Sequence, residues 1–127
     1  MSYLVDTDTC SAYVKDVRVV SNRFVQHGGL YISVVTMAEL EVWLRRKRTR
    51  KRYWQAYLIM LRAVTILDLD QTVVQRAGEI GADLYDRGLP MELDDLLIAA
   101  TALVHGLTLV THNTQDFINV PGLSVVD

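Results

Sequence analysis

The stretch DDLLIAATALVHGLTLVTHN, residues 94–113, constrains the fold more than any other part of the chain. Two adjacent carboxylates, Asp94 and Asp95, open a segment of helical periodicity that Gly106 ends. The apolar run Leu107 to Val110 follows and stops on the polar group Thr111-His112-Asn113. The order is therefore helix, turn, strand and polar strand end, which sets the acids near the strand end. At the start of the chain a second β-prone run, Tyr3 to Val5, stops on Asp6. Ligands of an open parallel sheet bind at the carboxyl ends of its strands, so function turns on whether Asp6 and Asp95 meet there.

The rest of the chain repeats the alternation. After a short segment around Ser11 to Val14, Val17, Val20, Phe24 and Val25 recur at helical spacing until Gly28-Gly29. Leu30 to Val35 reads as a second strand, and Thr36 begins a helix through Met37, Leu40 and Leu44. A basic junction leads to another helix over Tyr53 to Ala63, followed by a third short strand, Thr65 to Leu67. Asp70 begins a long helix that carries Val73, Val74, Ala77, Ile80, Leu84 and Tyr85 on one side and ends at Gly88-Leu89-Pro90. Beyond residue 113, Phe117 to Pro121 reads as a loop and Leu123 to Val126 as the last strand. Strands alternating with helices predict an α/β three-layer sandwich around a mainly parallel central sheet of about five strands, with right-handed crossovers. A chain of 127 residues fits one domain with one core.

Composition narrows the classes. Half of the residues are apolar, which excludes disorder as the main state. No apolar run approaches the ~18 residues of a spanning helix, and no basic segment followed by a long apolar one opens the chain, so a cytoplasmic protein without membrane contact is expected. The single Cys10 cannot form an internal disulfide. The net charge of −2 conceals the run RRKRTRKR, Arg45 to Arg52, which holds seven of the 13 basic residues. Such a run meets a polyanion or is a solvated helix end.

The predicted sheet brings Asp6, Glu39, Asp95 and the group from Thr111 to Asp116 to its carboxyl edge. Clustered like charges repel unless a cation lies among them. Glu39 has two readings: a member of that cluster, or the acid of a capping box, Thr36-Met37-Ala38-Glu39. Asp95 shares a helix face with Ala99 and Ala102, so it points toward the strand ends. Asp94 reads as the more solvent-facing acid, favoured by the helix dipole. Oxygen donors without a His or Cys cluster select Mg²⁺ or Mn²⁺, and His27, His105 and His112 are scattered. A carboxylate-held divalent cation beside a basic segment is what phosphodiester hydrolysis requires, which points to a nuclease. A non-catalytic α/β module binding RNA or protein, with the acids as helix caps, is the alternative outside enzymes.

Asp6-Thr7 after an apolar strand, Met37-Ala38-Glu39-Leu40, the run from Asp95 to Ala102, and Leu109-Val110-Thr111-His112-Asn113 with Phe117 resemble the PIN-domain ribonucleases, and within them the VapC toxins. The resemblance covers essentially the whole chain in order. It implies a PIN-like fold and a Mg²⁺-dependent endoribonuclease, usually a homodimer, held inactive by a VapB-type antitoxin. It places the metal ligands on Asp6, Glu39 and Asp95. The fourth position of the pattern, often an acid, is Asn113 here, and Asp116 three residues on is the other choice. Thr7 and Thr111 are assigned to orienting carboxylates or water. Asp6-Thr7-Asp8-Thr9 also resembles the first motif of haloacid-dehalogenase phosphatases, with Asp6 as nucleophile and Asp8 as its acid–base partner. That chemistry needs a lysine near the phosphate, and Lys15, Lys47 and Lys51 stand away from the strand ends.

Overall fold

The first apolar run becomes β1 (Tyr3–Val5), and α1 (Thr7–Val14) begins directly after Asp6. Asp6 caps that helix, its Oδ1 accepting from the Thr9 amide at 2.9 Å. A helix thus occupies Thr7 to Val14, where the sequence reads only as a short segment. The structure, a computed structural model, describes residues 2–16, 22, 24, 29–46 and 50–127. Val17, Val20, Val25 and Gly28 lie outside them; Phe24 is helical, and its ring meets Tyr13 at 4.6 Å.

Next come β2 (Leu30–Ser33) and α2 (Val34–Arg46). The strand stops two residues short of the expected Val35, and Thr36 lies inside the helix instead of capping it. The Ser33 hydroxyl is the cause, since it accepts from the Val35 amide at 3.0 Å and satisfies a donor that opens the helix. α3 (Lys51–Ala63) leads to β3 (Thr65–Leu67) and α4 (Gln71–Asp86), the last capped by Asp70. Of the expected basic junction, Lys47 to Thr49 lie outside the described residues.

α5 (Leu93–Val104) ends on Gly106, whose φ of 66° lets the Leu107 amide reach back to the Ala102 carbonyl at 2.8 Å. β4 (Thr108–Val110), α6 (Thr114–Phe117) and β5 (Val125–Val126) complete the chain. Two expectations here need correction. Phe117 closes a helical turn and is buried, so the loop begins after it. β5 omits Leu123, whose amide closes a turn onto the Val120 carbonyl, and pairs with β4 only at Leu109↔Val125 and Val110↔Val126.

The five strands form one parallel sheet in the order β3-β2-β1-β4-β5. Successive strand residues face opposite layers. Leu4 and Leu109 pack with Val73, Ile80 and Leu84 of α4 and Ile98 and Ala99 of α5. Val5 and Ile32 pack with Val14 of α1, Leu40 and Leu44 of α2, and Tyr57 and Met60 of α3. Each fully buried aliphatic side chain contributes ~1.5–3 kcal/mol, and both faces of the sheet are covered. Small residues draw α5 inward: Ala99, Ala100 and Ala102 are fully buried, and a Cβ added at Gly81 of α4 would lie 3.0 Å from Leu96 Cδ1. No helix among the described residues is long and apolar enough to cross a membrane.

Strand order reverses between β1 and β4, the place where an open parallel sheet leaves a crevice at its carboxyl edge. The register ends there on Val5↔Val110. The next residues, Asp6 and Thr111, therefore emerge side by side, with the Asp6 amide on the Val110 carbonyl at 3.0 Å.

Candidate active site

Asp6 is 5 % exposed and doubly held. Its Oδ1 accepts from the Thr9 amide, and its Oδ2 accepts from the Thr111 hydroxyl. Thr111 is itself fully buried and also accepts from the Asn113 amide at 3.0 Å. A buried carboxylate needs such donors, so Asp6 is fixed in position before any ligand arrives. Thr111→Val is expected to cost ~1–3 kcal/mol of stability by leaving Asp6 Oδ2 unpaired. A variant equal to the parent in unfolding midpoint would refute this.

Glu39 reaches the same edge from α2. Its Oε1 accepts from the Thr7 hydroxyl at 2.6 Å, and Thr36, 3.1 Å from Thr7, completes the chain of hydroxyls by donating to it. The capping-box reading of Glu39 therefore gives way to a tertiary contact across 32 residues. Burial pushes the Glu39 carboxyl up to about 7; the Thr7 bond opposes this, while a hydrogen bond with Asp94 and the charges of Asp94 and Asp95 add to it.

Asp95 occupies the first turn of α5 and is half-buried. Its carboxyl is pushed up to about 6, first by burial and then by the charges of Asp94, Asp116, Asp6 and Asp8. Asp95 thus lies near enough to Asp6 for the Asp6 charge to act on it. Asp94 differs from its expected solvent-facing role, because it is half-buried against Glu39 and its Oδ1 accepts from the Asp95 amide at 3.0 Å. In the sequence, the helix dipole by itself accounts for an acid at Asp94. Its adjacency to Asp95 was the only signal.

The two choices for the fourth position separate. Asn113 Nδ2 donates to Asp8 Oδ2 at 2.7 Å, so its amide is engaged by Asp8. Asp116, in α6, lies near enough to Asp95 to raise its pKa. His112 is exposed and pairs with Asp127 at 3.4 Å. The phosphatase alternative loses its geometry: Asp8 is held by Asn113, Lys15 lies over the Trp43 ring, and Lys51 opens α3. Lys47 lies outside the described residues. Cys10 is fully buried, and burial, then Asp6, push its thiol far above the usual range, which removes it as a nucleophile.

The edge is thus a cluster of carboxylate oxygens in which burial and neighbouring acids disfavour the charged forms of Glu39 and Asp95. That donor chemistry fits a hard divalent cation. Among the described residues no three acid, histidine or cysteine side chains already converge as a finished cage.

The chain matches the PIN domain family over residues 3–123. It is 30% identical to the tRNA(fMet)-specific endonuclease VapC of Shigella flexneri, over 100% of this chain and 98% of that protein. Ribonuclease VapC1 of Rickettsia felis is also 30% identical, over 99% and 96%. Among solved structures, VapBC2 from Rickettsia felis bound to a DNA fragment from their promoter contains a chain with TM-score 0.90 and 26% identity, covering 99% of this chain and 98% of that one. A match that runs from the start of β1 almost to β5, with relatives aligned end to end, means that the chain belongs to the PIN-domain family, as a VapC ribonuclease toxin of a toxin–antitoxin pair.

Proposed function

We propose that the chain is a Mg²⁺- or Mn²⁺-dependent endoribonuclease that cleaves RNA by attack of water. The observation that carries this reading is the Asp95 carboxyl, pushed up to about 6 by burial and by four neighbouring acids at the switch point of the sheet. Asp6, Glu39 and Asp95 would hold the cation, with Asp116 rather than Asn113 at the fourth position. Bound there, the ion supplies positive charge for the nonbridging phosphate oxygens and lowers the pKa of a water.

The chain's own residues do the positioning. Thr111 and the Thr9 amide fix Asp6, while Thr7 and Thr36 fix Glu39. A hydrogen bond with Asp94 favours the protonated form of the Glu39 carboxyl. Asn113 keeps Asp8 turned toward α6, as a positioning contact.

A VapB-type antitoxin is the proposed partner, supported by the likeness to VapBC2 of Rickettsia felis and VapBC of Salmonella typhimurium. A homodimer would cover exposed apolar side chains such as Leu58 and Ile59 of α3.

The test is incubation with a transcribed tRNA(fMet), chosen because the Shigella flexneri relative is named for it, and with total RNA. Cleavage is expected with Mg²⁺, to be lost with a chelator and restored by excess Mg²⁺, and to leave 5′-phosphate ends. Cleavage that persists in chelator, or a cyclic phosphate end from ribose attack, would overturn the mechanism. RNA binding without any cleavage would favour the non-catalytic module.

A further inference from the structure

Among the described residues, one stripe of α2 lines a cavity of about 380 Å³: Ala38, Glu39, Val42, Trp43 and Arg46. These positions repeat at three, four and seven residues, so they form one continuous face. Glu39 stands at its acid end, and Arg46 stands at the other, ~10 Å further along the helix axis. Val42 between them is 56% exposed, so the floor of the cavity is open. Trp43 is held on its ring by Tyr53, 5.8 Å away and near parallel, and by the Lys15 ammonium at 5.1 Å, which makes it a rigid wall.

The Arg46 end is crowded with cations. Arg45, Arg50, Lys51 and Arg52 are all exposed. Among the described residues only Arg45 of this group is in an ion pair with a carboxylate, Glu41 at 2.8 Å. Arg50 and Arg52 both lie over the same Tyr53 ring, at 5.9 and 5.6 Å, and Arg45 lies over Trp54 at 5.3 Å. Two guanidinium groups sharing one ring repel each other. They also stand at the start of α3, where the helix dipole is positive, no side chain caps the turn and no acid is present. An anion between them relieves each of these repulsions.

The acid edge, for its part, repels phosphates, so a nucleic acid must be held by charge supplied elsewhere. We infer that the α2 groove is the path of the RNA strand, with Arg46, Arg50 and Arg52 holding the backbone phosphates that flank the phosphodiester at Glu39. This rests on the ribonuclease reading and adds to it the surface that holds the substrate. Phosphate contacts of this kind give affinity that salt weakens and little sequence preference. The groove runs from the arginine end to the Glu39 carboxylate, so a polyanion held by the arginines passes the candidate cleavage site. RNA is therefore the occupant that charge and continuity favour.

The experiment uses the Asp95→Asn protein for binding, so that chemistry does not enter, and the unsubstituted protein for cleavage, with transcribed tRNA(fMet) as the probe. Arg50→Gln/Arg52→Gln and Arg46→Gln are compared with Arg76→Gln on exposed α4, which matches the charge change of the single variant. The double variant is expected to bind about tenfold more weakly at 0.1 M salt. The slope of log affinity against log salt should fall by about 1–2, as expected for one or two lost phosphate contacts. KM should rise by the same factor with kcat held within twofold, while Arg76→Gln changes each value less than twofold. Unchanged affinity and slope in the groove variants would overturn the inference, as would their selective loss of binding to an acidic antitoxin peptide with RNA binding intact. Absence of cleavage by the unsubstituted protein would count against the ribonuclease reading, and the binding comparison would still be readable.

Discussion

Asp95→Asn is expected to slow RNA cleavage by about a thousandfold or more, a loss of ~4 kcal/mol of transition-state stabilisation, while the folded state becomes no less stable. The two effects separate because of where Asp95 sits. Its charge is disfavoured by burial and by Asp94, Asp116, Asp6 and Asp8, so a neutral amide of the same shape removes repulsion without opening a cavity. A gain of ~0.5–1 kcal/mol is expected. Single-turnover cleavage and guanidinium unfolding midpoints measure both. Asp6→Asn should lose activity equally but also ~1–3 kcal/mol of stability, because an amide NH₂ cannot accept from both Thr9 and Thr111. Undiminished cleavage by either variant would sink the assignment, and a large stability loss in Asp95→Asn would make that residue part of the scaffold.

The metal-free protein should lose stability as pH rises from about 4 to about 7. Glu39 and Asp95 have carboxyls pushed up to about 7 and about 6 from ordinary values of 4.5 and 3.8, first by burial and then by neighbouring acids. A raised carboxyl pKa means that the folded chain binds the proton more tightly than the unfolded chain. Its stabilising effect is complete below the ordinary value and disappears as pH passes the folded value. Both groups are half-exposed and share neighbours, so solvent screening reduces the sum to ~2 kcal/mol. Mg²⁺ should reverse the trend at pH 7.5, by ~2.7 kcal/mol at a hundred times its dissociation constant. Thermal melts across pH, with and without Mg²⁺, give the answer. The same slope in Asp95→Asn, or no Mg²⁺ stabilisation, would remove the acid cluster as its source.

Much of this was legible before folding. Apolar runs of period two and stripes of period 3.6 are local signals, so β1, β3, α4, α5 and β4 appear in the sequence within a residue or two of their observed bounds. The order of those elements determined a parallel sheet, and with it the edge on which Asp6, Glu39 and Asp95 stand. The unexpected α1 and the early start of α2 have local causes too, in the caps Asp6 and Ser33, but polar strand ends offer several cap candidates and only packing selects one.

Sequence by itself thus determined the alternation of strands and helices, the acids at the strand ends and a concentrated basic run. Tertiary structure alone decided that Thr111 holds Asp6 across 105 residues, that Thr7 takes Glu39 out of a capping box, and that Asp94 joins the acids. It also decided that one face of α2 joins Glu39 to Arg46. The physical reason is that periodicity reports which side of an element is buried. Which distant side chain lies opposite depends on strand order and register, and these form only when both layers pack on the sheet.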